Sequence, residues 1–540
     1  MTSARPTEGH ARLDDPDELL DSRADPAATA FGTSGSEAAS DLNWIALLST
    51  RVQQRALSSE RHRWWVLCAL LSGLFALNFT FTVFIVALPR VAHEFGTSIT
   101  VLTWTMIGPL LAYGLAAPLF GKVGDVFGHR RLYLAGLLGA MVSAALTALA
   151  PTAGMLIAAR TLDGIQGAAT GTASMALILQ AFPASERVKA MGWWSLVGAG
   201  GPVLGVSIGS PIIQYFGWRS LFWLQLVLLA TAVVVVSLIL PHRRDRFDTR
   251  DRASTIRAFR TMDWVGSWSL SLSVTTLMLG LSLGHSIGWL SAGAWVCWIA
   301  TVVGITVFVV RIRTAANPLI PPRYFRRRNF SLPIVVRSTG NFAYFGAFFL
   351  APLLMEMGYG FSLTQVGLIS IARPLAFAIC SPIAGYAAVR VGERTTAIVG
   401  TVALCGSLAL FASLRPSTTT LVLVVALMLS GFGMGVAMPA TSSTMANEVS
   451  ESDFGVMSAA QILAMQVGEV AGIQVLATVQ QAIMRRRGLT RASSEAQLLA
   501  TFHIPFLIGT GVAAIAVIAA LFMRRLPRGA PDDPGLDLSV

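Results

Sequence analysis

Apolar residues in this chain fall into long unbroken runs from residue 64 onward, separated by short polar segments. A helix needs about 20 such residues to cross a bilayer. The runs are continuous rather than alternating, so they predict helices and not the strands of a barrel. About 14 are counted, at roughly 64–88, 99–120, 132–150, 155–182, 191–213, 220–240, 264–284, 292–310, 332–355, 366–389, 395–414, 421–445, 454–480 and 502–522. The pattern upstream differs. Residues 1–41 are rich in Asp, Ala, Ser, Thr and Gly with no apolar signal-peptide core, which predicts a disordered cytoplasmic tail. Over 42–60, Trp44, Ile45, Leu48 and Val52 recur at helical spacing with Arg51 and Arg55 on the other side, the pattern of an interfacial amphipathic helix. Residues 526–540 read as a second cytoplasmic tail.

Composition sharpens this to an all-α membrane protein. Of 540 residues 54% are hydrophobic and 13% charged, against about 25% charged in a soluble domain. The net charge of +12 would suit nucleic acid if gathered on one surface, but it is spread over the segments between runs. That distribution follows the positive-inside rule and puts both termini in the cytoplasm of a cell whose inner membrane the chain spans. The inside then receives Lys122, Arg130, Arg131, Arg187, Lys189 and seven arginines of the 241–262 loop. The outside loops hold few, Arg90, Arg219 and Arg415, and MRRRGLTR at 484–491, which this count also places outside, is the one conflict. Cys68, Cys297, Cys380 and Cys405 all lie in apolar runs without ligand spacing, and read as small core hydrophobes.

Three stretches carry candidate chemistry. GKVGDVFGHRR (121–131) follows the second run. Its Gly121 and Gly124 allow a tight turn and close helix approach, and Asp125 can cap a helix N-terminus or pair with a nearby Arg. Read blandly, it is an ordinary basic cytoplasmic loop. RTLDGIQG sets Arg160 inside an apolar run, and GAGGPVLG (198–205) concentrates Gly and Pro in the fifth. Alone, the latter means small-residue packing and a kink.

Taken in series, the three resemble the signatures of the major facilitator superfamily. Gly121, Asp125, Gly128, Arg130 and Arg131 match its loop signature GxLaDrxGrkr. Arg160 matches its membrane-embedded Arg. Gly198, Gly201, Pro202 and Gly205 match its antiporter motif, with Val206 in place of the final Gly. SPIAGYAAVRVGER (381–394) occupies the place of a second loop signature, with Val389 where the Asp would stand, as in halves related by duplication. Two extra runs between two sets of six resemble the 14-span drug/proton antiporter branch of QacA and EmrB type, as does NPLIPPRYFRRRNFS before the ninth run. The resemblance implies a six-helix bundle over 61–240, a two-helix insert over 241–329 placing two extra helices centrally, and a second bundle over 330–525. It implies proton-coupled export of small hydrophobic or drug-like molecules, with Asp125 and the loop arginines closing a gate by charge pairing. Protons, a small-molecule substrate and the bilayer are then the partners, with no nucleic acid, metal or cofactor.

One departure matters. Where the branch reads LDxTIVNVALP in its first span, this chain reads FTFTVFIVALP, with Thr80 in place of the acid and Asn78 nearby. The ionisable residues inside other runs become the candidates, because such groups are expensive in lipid. Arg160 and Asp163, the latter where relatives more often have Gln, are i, i+3 neighbours that can meet on one helix face. They read either as the proton-coupling pair or as a structural ion pair. Glu469, beside Gly468 and Gly472, reads as a coupling acid or as packing; Arg337 and Arg373 read as substrate-cavity residues or as snorkelling cations. GVSIG at 205–209 fits a nucleophile-elbow pattern but sits in a membrane helix without a triad, and no phosphate loop is present, so neither an enzyme nor ATP-driven transport is supported. An importer or lipid exporter of the same fold, and a membrane sensor or assembly partner without transport, are the rival readings.

Overall fold

The computed structural model describes residues 62–240, 262–315, 317–490 and 493–525. The expectations for 1–41, 42–60, the 241–261 loop and 526–540 lie outside them. Helices make up the described chain, and none of those residues is in a strand. Fourteen helices have twenty residues or more: α1 His62–Glu94, α2 Trp104–Phe127, α3 His129–Ala148, α4 Ala153–Ala181, α5 Arg187–Phe216, α6 Arg219–Ile239, α7 Trp264–Ile287, α8 Ala292–Thr314, α9 Arg328–Tyr359, α10 Ala372–Val391, α11 Glu393–Ala412, α12 Thr420–Ala446, α13 Phe454–Arg486 and α14 His503–Phe522. Twelve helical segments among the described residues are long and apolar enough to cross a membrane. α4 and α5, at 29 and 30 residues, are also long enough. α4 is less apolar because it carries Arg160, Asp163 and Gln166.

The helices outrun the apolar runs at several ends, because charged residues such as Glu94, Arg313 and Arg486 extend a helix into water. The tenth run is an exception. It breaks at Ile371, between a helix over Leu363–Ser370 and α10. Pro374, lacking an N–H, cannot bond back across that break.

α1–α6 and α9–α14 each enclose an apolar core. Tyr133, Met175, Phe182 and Leu229 are buried in the first, and Leu350, Leu408, Phe411 and Phe506 in the second, where the last two stack at 5.0 Å. Lipid gives packed helices no hydrophobic drive toward each other, so small residues that let backbones touch become decisive. On α11, a Cβ at Gly400 would lie 2.5 Å from Gly433 O of α12.

The two helices of the insert differ in depth, α7 being packed between helices of both halves and α8 lying outside it. α7 lies along the seam between the halves, its Val274 and Met278 against Ala116 and Ala117 of α2 and Ile462 and Leu463 of α13. α8 leans mainly on α7 and turns Val296, Ile299 and Val302 outward. The pair is clasped at one end. Asp263 caps α7 through Gly266 N–H (2.9 Å) and accepts from Arg311 Nε and Nη2 of α8 (3.2 and 3.1 Å). The cysteines correct one expectation. Cys297 is buried, but Cys380 and Cys405 are only partly so and Cys68 is exposed.

Candidate functional site

Successive helices run antiparallel, so one end of the bundle gathers the α2–α3, α4–α5, α10–α11 and α12–α13 turns. The loop predicted across 121–131 is almost absent. α2 stays helical through Asp125 to Phe127, and the turn is Gly128 alone, with φ 94°. Only glycine adopts that conformation without strain. The second half repeats the device at Gly392, φ 92°, between α10 and α11.

This geometry carries Asp125 beneath the N-terminus of α13, in the other half. Its Oδ1 accepts the N–H of Gly455 at 2.8 Å, and its Oδ2 that of Val456 at 3.1 Å; His129 Nε2 lies 3.1 Å from Oδ1. The first N–H groups of a helix have no partner within it and carry partial positive charge, so a carboxylate there is held by bonds and by field together. Its side chain is 3% exposed, which keeps water from competing. Contact this close needs glycine on both sides. A Cβ at Gly121 would stand 2.6 Å from Gly455 O and 2.7 Å from Ala459 Cβ.

The expected pairing of Asp125 with the loop arginines is not what forms. Arg130 turns away to the end of α6, donating from Nε to Leu240 O (3.2 Å) and from Nη2 to Ser237 O (3.4 Å), where a helix leaves its carbonyls unpaired. Arg131 is exposed.

A second tie between the halves was not visible in the sequence. Arg187, at the start of α5, donates from Nη1 to Asn447 Oδ1 at 3.0 Å, approaches Glu451 at 3.6 Å, and lies 4.9 Å over the ring of Phe454. Its Nε holds Leu179 O in its own half at 3.1 Å. Deeper along the seam, Ser381 Oγ donates to Gly192 O at 3.1 Å, and Trp193 Nε1 to Tyr386 Oη at 3.5 Å. Nothing in the run ERVKAMG marks Arg187 as more than an inside-positive charge, because its partners lie some 260 residues away. These cross-half bonds all fall on the Gly128 side of the bundle.

The membrane-embedded charges form separate clusters. Arg160 is 1% exposed and donates from Nη1 to Asp163 Oδ2 at 2.9 Å. Asp163 Oδ1 also accepts from Ser143 Oγ of α3 (3.0 Å) and from Gln166 Nε2 (2.5 Å). The guanidinium lies between the rings of Phe84 and Phe222, 5.6 and 5.7 Å from their centroids. Such cation–π contacts strengthen when desolvated. The pair thus ties α4 to α1, α3 and α6.

The substrate-cavity group Asn78, Thr80, Arg337 and Arg373 is not brought together. Thr80 is fully buried in the first half, its hydroxyl unpartnered among the described residues. Asn78 donates to Leu74 O at 2.8 Å, and a Cβ at Gly201 of α5 would lie 3.0 Å from Asn78 Cβ. Gly198 is exposed with open space before it. Pro202 and Gly205 lie in α5, with side chains outside the described residues.

Arg337 and Arg373 are sealed inside the second half. Arg337 Nη2 donates to Ser442 Oγ (2.5 Å) and Gln461 Oε1 (2.6 Å), beside a cavity of about 10 Å³, room for about one water. Arg373 donates to Tyr344 O at 3.3 Å and faces the Tyr344 and Phe348 rings. Glu469 is half-buried on α13, within electrostatic reach of Tyr344, while its neighbours Gly468 and Gly472 close against Ser338 O and Phe342 O of α9. No group of three His, Cys, Asp or Glu among the described residues could hold a metal ion.

Two helical bundles, a seam bonded along one side and charges buried within each half make up the architecture of a membrane transporter. The chain belongs to the major facilitator superfamily, whose family model, described as Major Facilitator Superfamily, matches residues 70–472 and again 335–538. It is similar to multidrug resistance protein Stp of Mycobacterium tuberculosis, with 27% identity over 75% of this chain and 74% of that one. Multidrug efflux pump LfrA of Mycolicibacterium smegmatis is 26% identical over 85% of this chain and 94% of its own length. The tetracenomycin C resistance and export protein of Streptomyces glaucescens is 26% identical over 76% and 75%. Among solved structures, the human organic anion transporter MFSD10 (TETRAN) shares the fold, with a TM-score of 0.58, 17% identity, and coverage of 84% of this chain and 99% of that one. The chain is therefore a multi-pass membrane transporter.

Proposed function

We propose that this protein exports small, largely hydrophobic, drug-like molecules by proton-coupled alternating access. Relatives named for multidrug resistance and drug export support the substrate class. The observation that carries the mechanism is the Asp125 carboxylate of one half bonded to the first N–H groups of α13 in the other. A bond of that kind forms when the halves meet at that end and is lost when they rock apart. In this reading the Gly128 end is cytoplasmic, as its arginines require, and both termini lie on that side of the inner membrane. All fourteen long helices span, as in the drug/proton antiporter branch of QacA and EmrB type, with bundles over 61–240 and 330–525 and the insert over 241–329. Proton coupling falls to Arg160–Asp163 and Glu469, since position 80 carries no acid. Gly198, Gly201, Pro202 and Gly205 let α5 pack tightly in another state of the cycle, Gly201 against Asn78 of α1.

Purified protein in liposomes, loaded with a lipophilic dye and given or denied a pH gradient, tests the proposal. Export accelerated by the gradient is expected. Equal dye movement with and without the gradient, or none in either case, would overturn it.

A further inference from the structure

The N-terminus of α13 has a capping residue of its own that does not cap. Asp453 occupies the N-cap position, where an Asp side chain ordinarily accepts from the second or third helical N–H. Here those are Gly455 and Val456, the two groups that Asp125 takes from the opposite half. The carboxylate of Asp453 is turned elsewhere. Its Oδ2 accepts the hydroxyl of Tyr324 at 2.6 Å and that of Ser450 at 2.8 Å, and it makes no cap bond.

Tyr324 is well placed to hold it. It stands on the short helix Pro322–Phe325 that leads from the insert into α9, and it is 3% exposed. Its ring stacks on Phe330 at 5.4 Å and lies under the guanidinium groups of Arg323 and Arg327, at 5.2 and 5.9 Å. Arg327 in turn donates to Glu448 O at 2.7 Å, so the same segment grips both ends of the turn over 448–453. Asp125 and Asp453 therefore compete for one pair of donors, and Tyr324 removes one competitor.

We propose that the gate works by exchange of caps. With the halves closed at the Gly128 end, Tyr324 sequesters Asp453 and Asp125 caps α13 from across the seam. When that end opens, Asp453 leaves Tyr324 and caps its own helix, so the donors exposed by the departure of Asp125 are satisfied at once. Tyr324 is a positioning residue that acts through Asp453. This rests on the gate reading above and adds to it a residue pair and a direction of effect.

The test is opening of the seam, read by thiol labelling. Ser381, fully buried against Gly192, is changed to Cys in a protein whose four native cysteines are alanine, and the rate of modification by a small charged methanethiosulfonate is measured in proteoliposomes. Tyr324→Phe keeps the stacked ring and leaves Asp453 held only by the Ser450 hydroxyl on its own turn, so labelling should rise, by up to roughly fivefold, the shift that an N-cap of about 1 kcal/mol makes. Asp453→Ala removes the competitor, so labelling should stay at or below that of the parent. Adding Asp453→Ala to Tyr324→Phe should bring the rate back to the parent's. A simple brace between Tyr324 and Asp453 predicts instead that all three variants label faster, and that result overturns the exchange. So does an unchanged rate in Tyr324→Phe when Asp125→Asn labels faster. If Asp125→Asn itself labels no faster, the gate reading fails and the exchange falls with it.

Discussion

Replacing Arg187 by alanine should loosen the Gly128 end of the transporter, and the size of the effect can be worked from its contacts. Only interactions that cross the seam bias the equilibrium between closed and open. The bond to Leu179 O lies within one half and drops out of the difference. A charged donor on Asn447 contributes about 1.5–3 kcal/mol. The Phe454 ring at 4.9 Å adds about 1 kcal/mol for a guanidinium this buried. Glu451, 72% exposed, adds no more than about 0.5 kcal/mol. Contacts sharing one side chain are not additive, so about 3 kcal/mol is a fair total, or roughly a hundredfold shift in the open-to-closed ratio. Nitroxide labels at Arg131 and Val391, both exposed and in opposite halves at this end, would read the distance distribution by pulsed electron paramagnetic resonance. Arg187→Ala should move most of the short-distance population to a longer one. Arg187→Lys should recover only part, because an ammonium lacks the planar fork that meets Asn447 while covering Phe454. A shift below about threefold in Arg187→Ala would show that the tie does not hold the end closed.

Other expectations are as specific. Asp163→Asn should abolish export driven by a pH gradient while leaving some downhill exchange; loss of membrane-inserted protein instead would mark the pair with Arg160 as structural. Proton uptake on substrate addition separates the two, and normal coupling would move the role to Glu469. Gly121→Val puts a branched side chain where even a Cβ meets Gly455 O, so it should prevent closure at this end and raise Ser381→Cys labelling more than Tyr324→Phe does. A reporter active only in the cytoplasm should give signal when fused within 241–262 and none within 285–291; equal signals would reverse the proposed orientation.

Much of the fold was legible because a bilayer allows few solutions. Continuous apolar runs had to be helices, and their positions came within a few residues of those observed. Helix ends were less legible, since charged residues continue a helix into water without any break in hydrogen bonding. The motif glycines were legible for the same local reason that makes them necessary: a turn of one residue at Gly128 demands positive φ. The partners of Asp125 were not. Choosing between a helix N-terminus and a neighbouring Arg needs knowledge of what lies 330 residues further along, and the sequence nearby favours the Arg. Arg187, Asn447 and Tyr324 were missed on the same ground. Conversely Arg160 and Asp163, three apart on one helix, were expected to meet and do, because an i, i+3 contact depends on the helix alone.

The hairpin of α7 and α8 carries its directional bonds inward, at the Asp263–Arg311 clasp and between Thr276 and Thr301 at 2.9 Å. Toward α2 and α13 it presents Leu270, Val274 and Met278. Dispersion contacts have no preferred angle, and a thioether reshapes itself to whatever passes over it. The apolar part of that face can therefore behave as a greased bearing rather than a hinge: α2 and α13 can slide across it as the bundles turn, with friction spread over many weak contacts. A machine that cycles has reason to line its sliding surface with side chains that hold no fixed angle.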